Sequence, residues 1–188
     1  MMKVVNTALE GVLLIQPSVF SDYRGFFLET YHYQRYTDVG ISAEFIQDNM
    51  SSSKIGVLRG LHYQHPHDQA KLVQVVLGKV FDVAVDIRMG SPSFGKWQSA
   101  VLSDENKKQL FIPEGFAHGF CVLSDSAIVT YKCNNVYTPD SERGVHWADQ
   151  TINISWPVSD PILSEKDSIL PELKSIPEDH LPKYVALA

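Results

Sequence analysis

Apolar and polar residues alternate with period two through the middle of the chain. In "VQVVLGKVFDVAVDI", Phe81, Val83, Val85 and Ile87 alternate with Asp82, Ala84 and Asp86, the pattern of a strand with one buried face and one more polar face. Gly78-Lys79 between two β-branched runs predicts a hairpin turn there. The segments "WQSAVLS", "QLFIPEG", "GFCVLS" and "AIVTYKCNNVY" are short, rich in Val, Ile, Tyr and Phe, and broken by Gly, Ser, Pro or Asp. Many short strands at close spacing predict a mainly β sandwich or barrel. Helical signals are few. "HYQRYTDVG" predicts one short helix ending at Gly40, and "SEKDS" opens like a capping box, with Ser164 three residues before Asp167. The proline-rich end, "ILPELKSIPEDHLPKYVALA", predicts short helical turns and loop. With no repeat, low-complexity tract or linker, the expected organisation is a single domain over 1–188, with 168–188 as a peripheral C-terminal tail.

Composition narrows the class. The 188 residues are 44% hydrophobic and 20% charged, a balance typical of a globular domain. Sixteen basic against 22 acidic residues give a net charge of −6, which argues against a duplex-binding surface and leaves room for a local basic pocket. Two cysteines, Cys121 and Cys133, cannot make a disulfide framework, and reduced thiols in a cytoplasmic protein are expected. No export cleavage signal is evident, and no segment approaches the ~20 apolar residues that span a bilayer.

The chemistry concentrates in "GLHYQHPHDQAK", where His62, His65 and His67 precede Lys71. His65-Pro66-His67 followed by Pro113-Glu-Gly-Phe-Ala-His118 has pieces in common with metal-binding cupins. Where those proteins place a carboxylate after the H-x-H, this chain has Lys71 or Leu72, and a cation is a poor neighbour for a divalent metal. His65 and His67 flank a proline beside Asp68 and are expected in an exposed turn. In "VLRGLHYQ", strand alternation puts Leu58, Gly60 and His62 on one face and Arg59, Leu61 and Tyr63 on the other. His62 is either a hydrogen-bonded core histidine or a neutral base in a positive pocket suited to an anionic substrate.

The ordered blocks "DYRGFFLE", "FIQDN", "VLRGLHYQ", "KLVQVVLGKVFDVAVDIR", "SPSFGKW", "IPEGFAHGF", "YTPDSERG" and "LSEKD" resemble the dTDP-4-dehydrorhamnose 3,5-epimerases, over nearly the whole span from Asp22 to Asp167. The resemblance implies a cupin-type jelly-roll barrel with a few short peripheral helices, free of metal and other cofactors and usually a homodimer. It implies a small-molecule substrate, dTDP-4-dehydro-6-deoxyglucose, inverted at C3 and C5 on the way to dTDP-L-rhamnose, with no nucleic-acid or membrane partner.

By the same resemblance His62 is the catalytic base, Asp167 orients it and Tyr131 is the acid. Inversion beside a ketone needs a base on one face, an acid on the other and a group to hold the enolate oxygen. Lys71, standing where a metal ligand would stand, suits the C4 oxyanion. Asp167 has a competing explanation as a helix cap, and Tyr131 as a plain barrel-facing aromatic. Arg24, Arg59 and Lys166 match contacts to substrate and diphosphate. Glu29, Gln47, Asn49 and Glu142 match polar binding positions, His118 a sugar contact and Tyr137 an aromatic that stacks on thymine. Gln74 stands where arginine is frequent, "HWADQ" replaces a "WNDP"-like block, and "HPHDQAK" is an unusual loop. These departures leave open a 3-epimerase of another deoxysugar pathway. A metal-dependent cupin and a non-catalytic sugar-nucleotide-binding barrel are the remaining alternatives.

Overall fold

The computed structural model describes residues 2–185. The strands are β1 (Lys3–Asn6), β2 (Leu13–Gln16), β3 (Val19–Asp22), β4 (Gly25–Leu28), β5 (Gln47–Lys54), β6 (Leu58–Gln64), β7 (Lys71–Leu77), β8 (Lys79–Asp86), β9 (Trp97–Ser103), β10 (Gln109–Ile112), β11 (Phe116–Val122), β12 (Ser126–Cys133) and β13 (Glu142–Gly144). They form a six-stranded sheet, β1-β2-β10-β7-β12-β5, a five-stranded sheet, β13-β6-β11-β8-β9, and the separate hairpin β3-β4. Every pairing between these strands is antiparallel. Val73, Val75, Leu110, Ile112, Ala127 and Val129 from the first sheet pack against Val80, Ala84, Leu102, Phe116, Phe120 and Val122 from the second. This is the expected cupin-type jelly roll, with its core between the sheets.

The hairpin expected at Gly78-Lys79 is not formed. β7 pairs with β10 and β12, whereas β8 pairs with β9 and β11, so the chain crosses there from one sheet to the other. Gly78 takes φ +79°, and a Cβ at that position would run into the Ser126 carbonyl on β12. Its amide donates to Asp104 Oδ2 at 2.9 Å and the Lys79 amide to Ser124 Oγ at 2.8 Å, so both ends of the crossing are tied to other loops. A glycine between β-branched runs signals a change of direction. It does not say which strand becomes the neighbour.

β8 is buried on both faces. Phe81, Val83, Val85 and Ile87 face outward, under Leu173, Ile176 and Leu181 of the C-terminal tail. The tail is built from short helical turns at Leu173–Ser175 and Glu178–His180, with residues 186–188 outside the described range. Asp149, inside the unusual "HWADQ" block, accepts amide hydrogen bonds from Thr151, Ile152 and Leu173 and so anchors the tail. The more polar face of β8, with Asp82 and Asp86, points into the barrel.

The two α-helices fall where expected. In α1 (Tyr33–Thr37) the His32 side chain accepts the Arg35 amide, and Tyr36 is buried with its hydroxyl 2.7 Å from Gln109 Oε1. The Gln109 amide group donates to Gln74 Oε1 at 2.9 Å. Gln74 therefore belongs to a neutral network on the outer face of β7, away from the barrel interior. In α2 (Glu165–Ser168) the Ser164 hydroxyl caps the helix by accepting the Asp167 amide at 3.0 Å.

Candidate active site

β6 carries a bulge that strict alternation does not anticipate. His62 faces His118 on β11, but Arg59, rather than Gly60, faces Phe120, with the register shifting between them. Arg59 and His62 therefore both point inward, which corrects the expected separation of their faces. Gly60 makes this possible. It takes φ +113°, and a Cβ there would sit 2.6 Å from the His118 carbonyl oxygen and 2.7 Å from Gly119 Cα. Arg59 Nε donates to Ser53 Oγ at 3.0 Å, which holds the guanidinium over the inner face of β5.

Asp167, 4% exposed, meets His62 Nε2 through its carboxylate at 2.6 Å. The Ser164 hydroxyl accepts the Asp167 amide in the helix cap and also supports the carboxylate, which still reaches His62, so the two roles that compete on paper coexist. Burial opposes the ionised carboxylate, but the His62 hydrogen bond and charge, the Gly60 amide and Ser164 outweigh it, and its pKa falls below the ordinary aspartate range. A carboxylate on Nε2 keeps the ring proton there and leaves Nδ1 as the acceptor.

Across the barrel, β5, β7 and β12 present two aligned rows. Lys71, Cys133 and Gln47 face one another in one row, and Val73, Tyr131 and Asn49 in the next. Lys71 is 7% exposed, and burial lowers its pKa, with Cys133 and Asp68 partly offsetting the shift. Burial raises the Tyr131 pKa, aided by Cys133 and Glu142 and opposed by Arg59. The Tyr131 ring lies 6.5 Å from that of His118, so the two sheets meet at this point. His118 was expected to contact sugar, but its Nε2 is held by Asp82 at 3.0 Å, leaving the opposite edge of the ring for a ligand. At the mouth, Tyr137 donates its hydroxyl to Glu142 Oε2 at 2.6 Å, its amide donates to Gln47 Oε1 at 2.8 Å, and Lys166 pairs with Glu142.

The barrel interior and its mouth thus gather His62, Asp167, Tyr131, Lys71, Gln47, Asn49, Arg59, His118, Tyr137, Glu142 and Lys166. Arg24 and Glu29 stand apart from it within one chain. Arg24 pairs with Asp22 on the exposed β3-β4 hairpin, and Glu29 with Arg35 of α1. His65 bonds Asp68, and His67 is exposed at φ +70°. Among the described residues no group of three or more His, Cys, Asp or Glu side chains is placed to share a metal ion. Asp82 and Cys133 escaped the sequence reading. Asp82 left a signal, an acid in mid-strand between apolar neighbours; Cys133 left none beyond its place two residues after Tyr131.

A family model described as dTDP-4-dehydrorhamnose 3,5-epimerase matches residues 6–175. The chain belongs to the dTDP-4-dehydrorhamnose 3,5-epimerase family. It is 58% identical to a Shigella flexneri protein of that name over 88% of this chain and 93% of that one. A solved Legionella pneumophila dTDP-6-deoxy-D-glucose-3,5-epimerase in complex with dTDP-4-keto-L-rhamnose superposes with a TM-score of 0.97 at 48% identity, covering 99% of this chain and all of that one. The family also holds a Streptomyces niveus dTDP-4-dehydrorhamnose 3-epimerase, 41% identical over 88% of this chain and 81% of that protein.

Proposed function

We propose that the chain inverts C3 and C5 of dTDP-4-dehydro-6-deoxy-D-glucose, giving dTDP-4-dehydro-L-rhamnose for dTDP-L-rhamnose biosynthesis. The observation that carries this reading is the His62–Asp167 pair, Nε2 to Oδ1 2.6 Å, opening on the interior that also holds Tyr131 and Lys71. His62 Nδ1 takes the proton from the carbon beside the ketone, and the C–H electrons pass into an enolate. The Lys71 ammonium stabilises the developing charge on O4, which serves both centres because both flank C4. Asp167 stabilises the imidazolium, the same logic as the acid of a protease triad. Tyr131, kept protonated by its raised pKa, delivers a proton from the opposite face and completes inversion. No step calls on a cofactor.

Arg59 and Lys166 suit the diphosphate, Tyr137 the thymine ring, and Gln47, Asn49 and His118 the sugar. Arg24 and Glu29 suit the same substrate from a second copy of the chain. The β3-β4 hairpin that carries Arg24 exposes Phe20, Phe26 and Phe27 at 64%, 56% and 70%, more aromatic surface than a two-stranded ribbon carries alone in water. The reading is therefore a homodimer, which sedimentation velocity tests, working in the cytoplasm. No helix among the described residues is long and apolar enough to cross a membrane.

The deciding experiment incubates the substrate with the enzyme in D2O. Deuterium at both C3 and C5, located by NMR, is the expected result. Label at C3 alone would replace this reading with the 3-epimerase activity named for the Streptomyces niveus relative.

A further inference from the structure

At the mouth of the barrel lies a contact that the acid–base scheme leaves unused. Lys166 and Asp167 are consecutive on α2. Asp167 reaches His62 on β6, and Lys166 reaches Glu142 on β13, the edge strand paired to β6. Glu142 stands opposite Gln64 and Gly144 opposite His62, so Glu142 and His62 are diagonal neighbours on the interior face. One carboxylate oxygen, Glu142 Oε2, takes both the Lys166 ammonium and the Tyr137 hydroxyl. The Tyr137 amide is fixed to Gln47. Burial opposes charge on Glu142, but Lys166, Tyr137 and His62 together hold its pKa below the ordinary glutamate range.

We infer that Glu142 is a positioning residue that competes with the substrate's diphosphate for Lys166 and, once displaced from it, directs its charge at His62. The inference rests on the nucleotide-sugar reading above. The Lys166 side chain is 54% exposed, so a diphosphate can reach it, and Glu142 is the acid that already occupies it. A diphosphate carries more charge than a carboxylate and draws the ammonium away. Glu142 then keeps Tyr137 as a hydrogen-bond donor but loses its cation. An uncompensated carboxylate diagonal to His62 stabilises the imidazolium that forms on proton abstraction. Binding energy from the remote diphosphate is thereby expressed at the reacting carbon. This differs from a Glu142 that binds substrate directly, because the two roles predict opposite effects on affinity.

Titration calorimetry with dTDP, together with steady-state kinetics, separates them. Glu142→Gln frees Lys166 and should bind dTDP about two- to fivefold tighter, the range set by a partly exposed ion pair. Its kcat should fall about tenfold with no rise in KM, because the developing imidazolium loses a nearby negative charge. Lys166→Gln should bind dTDP more weakly, and in that background Glu142→Gln should bring no gain. Weaker or unchanged dTDP binding by Glu142→Gln, or a gain that survives in the double variant, overturns the inference. If Glu142→Gln loses its fold by circular dichroism, Glu142→Asp, too short to hold Lys166, carries the same expectation for dTDP. Failure of the wild-type chain to bind dTDP would remove the nucleotide-sugar reading and this inference with it, and is read before any variant is made.

Discussion

Replacing Asp167 by Asn probes the site where the structure is most explicit. The Asp167 carboxylate is buried and sits 2.6 Å from His62 Nε2. With charge centres ~4 Å apart and an effective dielectric of ~20, the carboxylate–imidazolium attraction is about 4 kcal/mol. The His62 side chain is 35% exposed, so solvent takes up part of that. About 2–3 kcal/mol of stabilisation survives, which corresponds to a factor of ~10² in rate. Asparagine does further harm because its NH2 can donate to Nε2, which moves the ring proton to Nδ1 and removes the base. In a protease triad the equivalent change costs ~10⁴ in kcat, so the expected loss here is ~10³–10⁴. The fold should survive, because the α2 cap runs through the Asp167 amide; the lost charged hydrogen bond costs about 1.5–3 kcal/mol. Ser164→Ala is the matched control. It removes the cap and the Ser164 contact to the carboxylate, costs about 1 kcal/mol, and leaves the Asp167 charge and its His62 hydrogen bond in place. NMR-monitored epimerisation and thermal melts of both variants give the comparison. An Asp167→Asn enzyme within about threefold of wild type, or a Ser164→Ala enzyme equally impaired, would show that Asp167 acts only as a helix residue.

Two further outcomes follow from the same interior. Burial lowers the Lys71 pKa, so the ammonium is present below that value and is lost as pH rises through it; kcat should show an alkaline limb below the ordinary lysine range, while this group's penalty on folding is relieved over the same window. Tyr131 holds its proton more tightly than an ordinary tyrosine, and Lys71→Arg separates Lys71 from the Cys133 thiol: the limb should vanish in that variant, and a limb that persists would assign it to Cys133. Gly60→Ala puts a methyl 2.6 Å from the His118 carbonyl oxygen at φ +113°. It should cost about 3 kcal/mol, lowering Tm by about 6–12 °C, and activity should fall as His62 shifts; an unchanged Tm would mean that the bulge at Gly60 is not required.

Alternation along single strands, turn residues and two helix starts are local properties, and they were readable in the chain. The β segments, the cap at Ser164 and the short turns of the tail all follow from nearest neighbours. His62, Tyr131 and Lys71 stood in quotable motifs because those motifs resemble a family, and the fold and family agree with it. What no local pattern carries is partnership. Gly78 marks a change of direction in both a hairpin and a sheet crossing, and only the packing of β12 beside it selects the crossing. Strict alternation assigns Arg59 and His62 to opposite faces, and a bulge pressed against Gly119 brings them to the same one. Asp167 could be cap or orienter until His62, 105 positions away in sequence, came within hydrogen-bonding distance. Lys71 is an ordinary lysine until two sheets close over it and burial changes its proton affinity. Chain-local propensities depend on a few adjacent residues, whereas solvent exclusion and long-range pairing depend on the closed barrel. The strands were therefore legible in the sequence, and the chemistry of the side chains between them was decided by the tertiary structure.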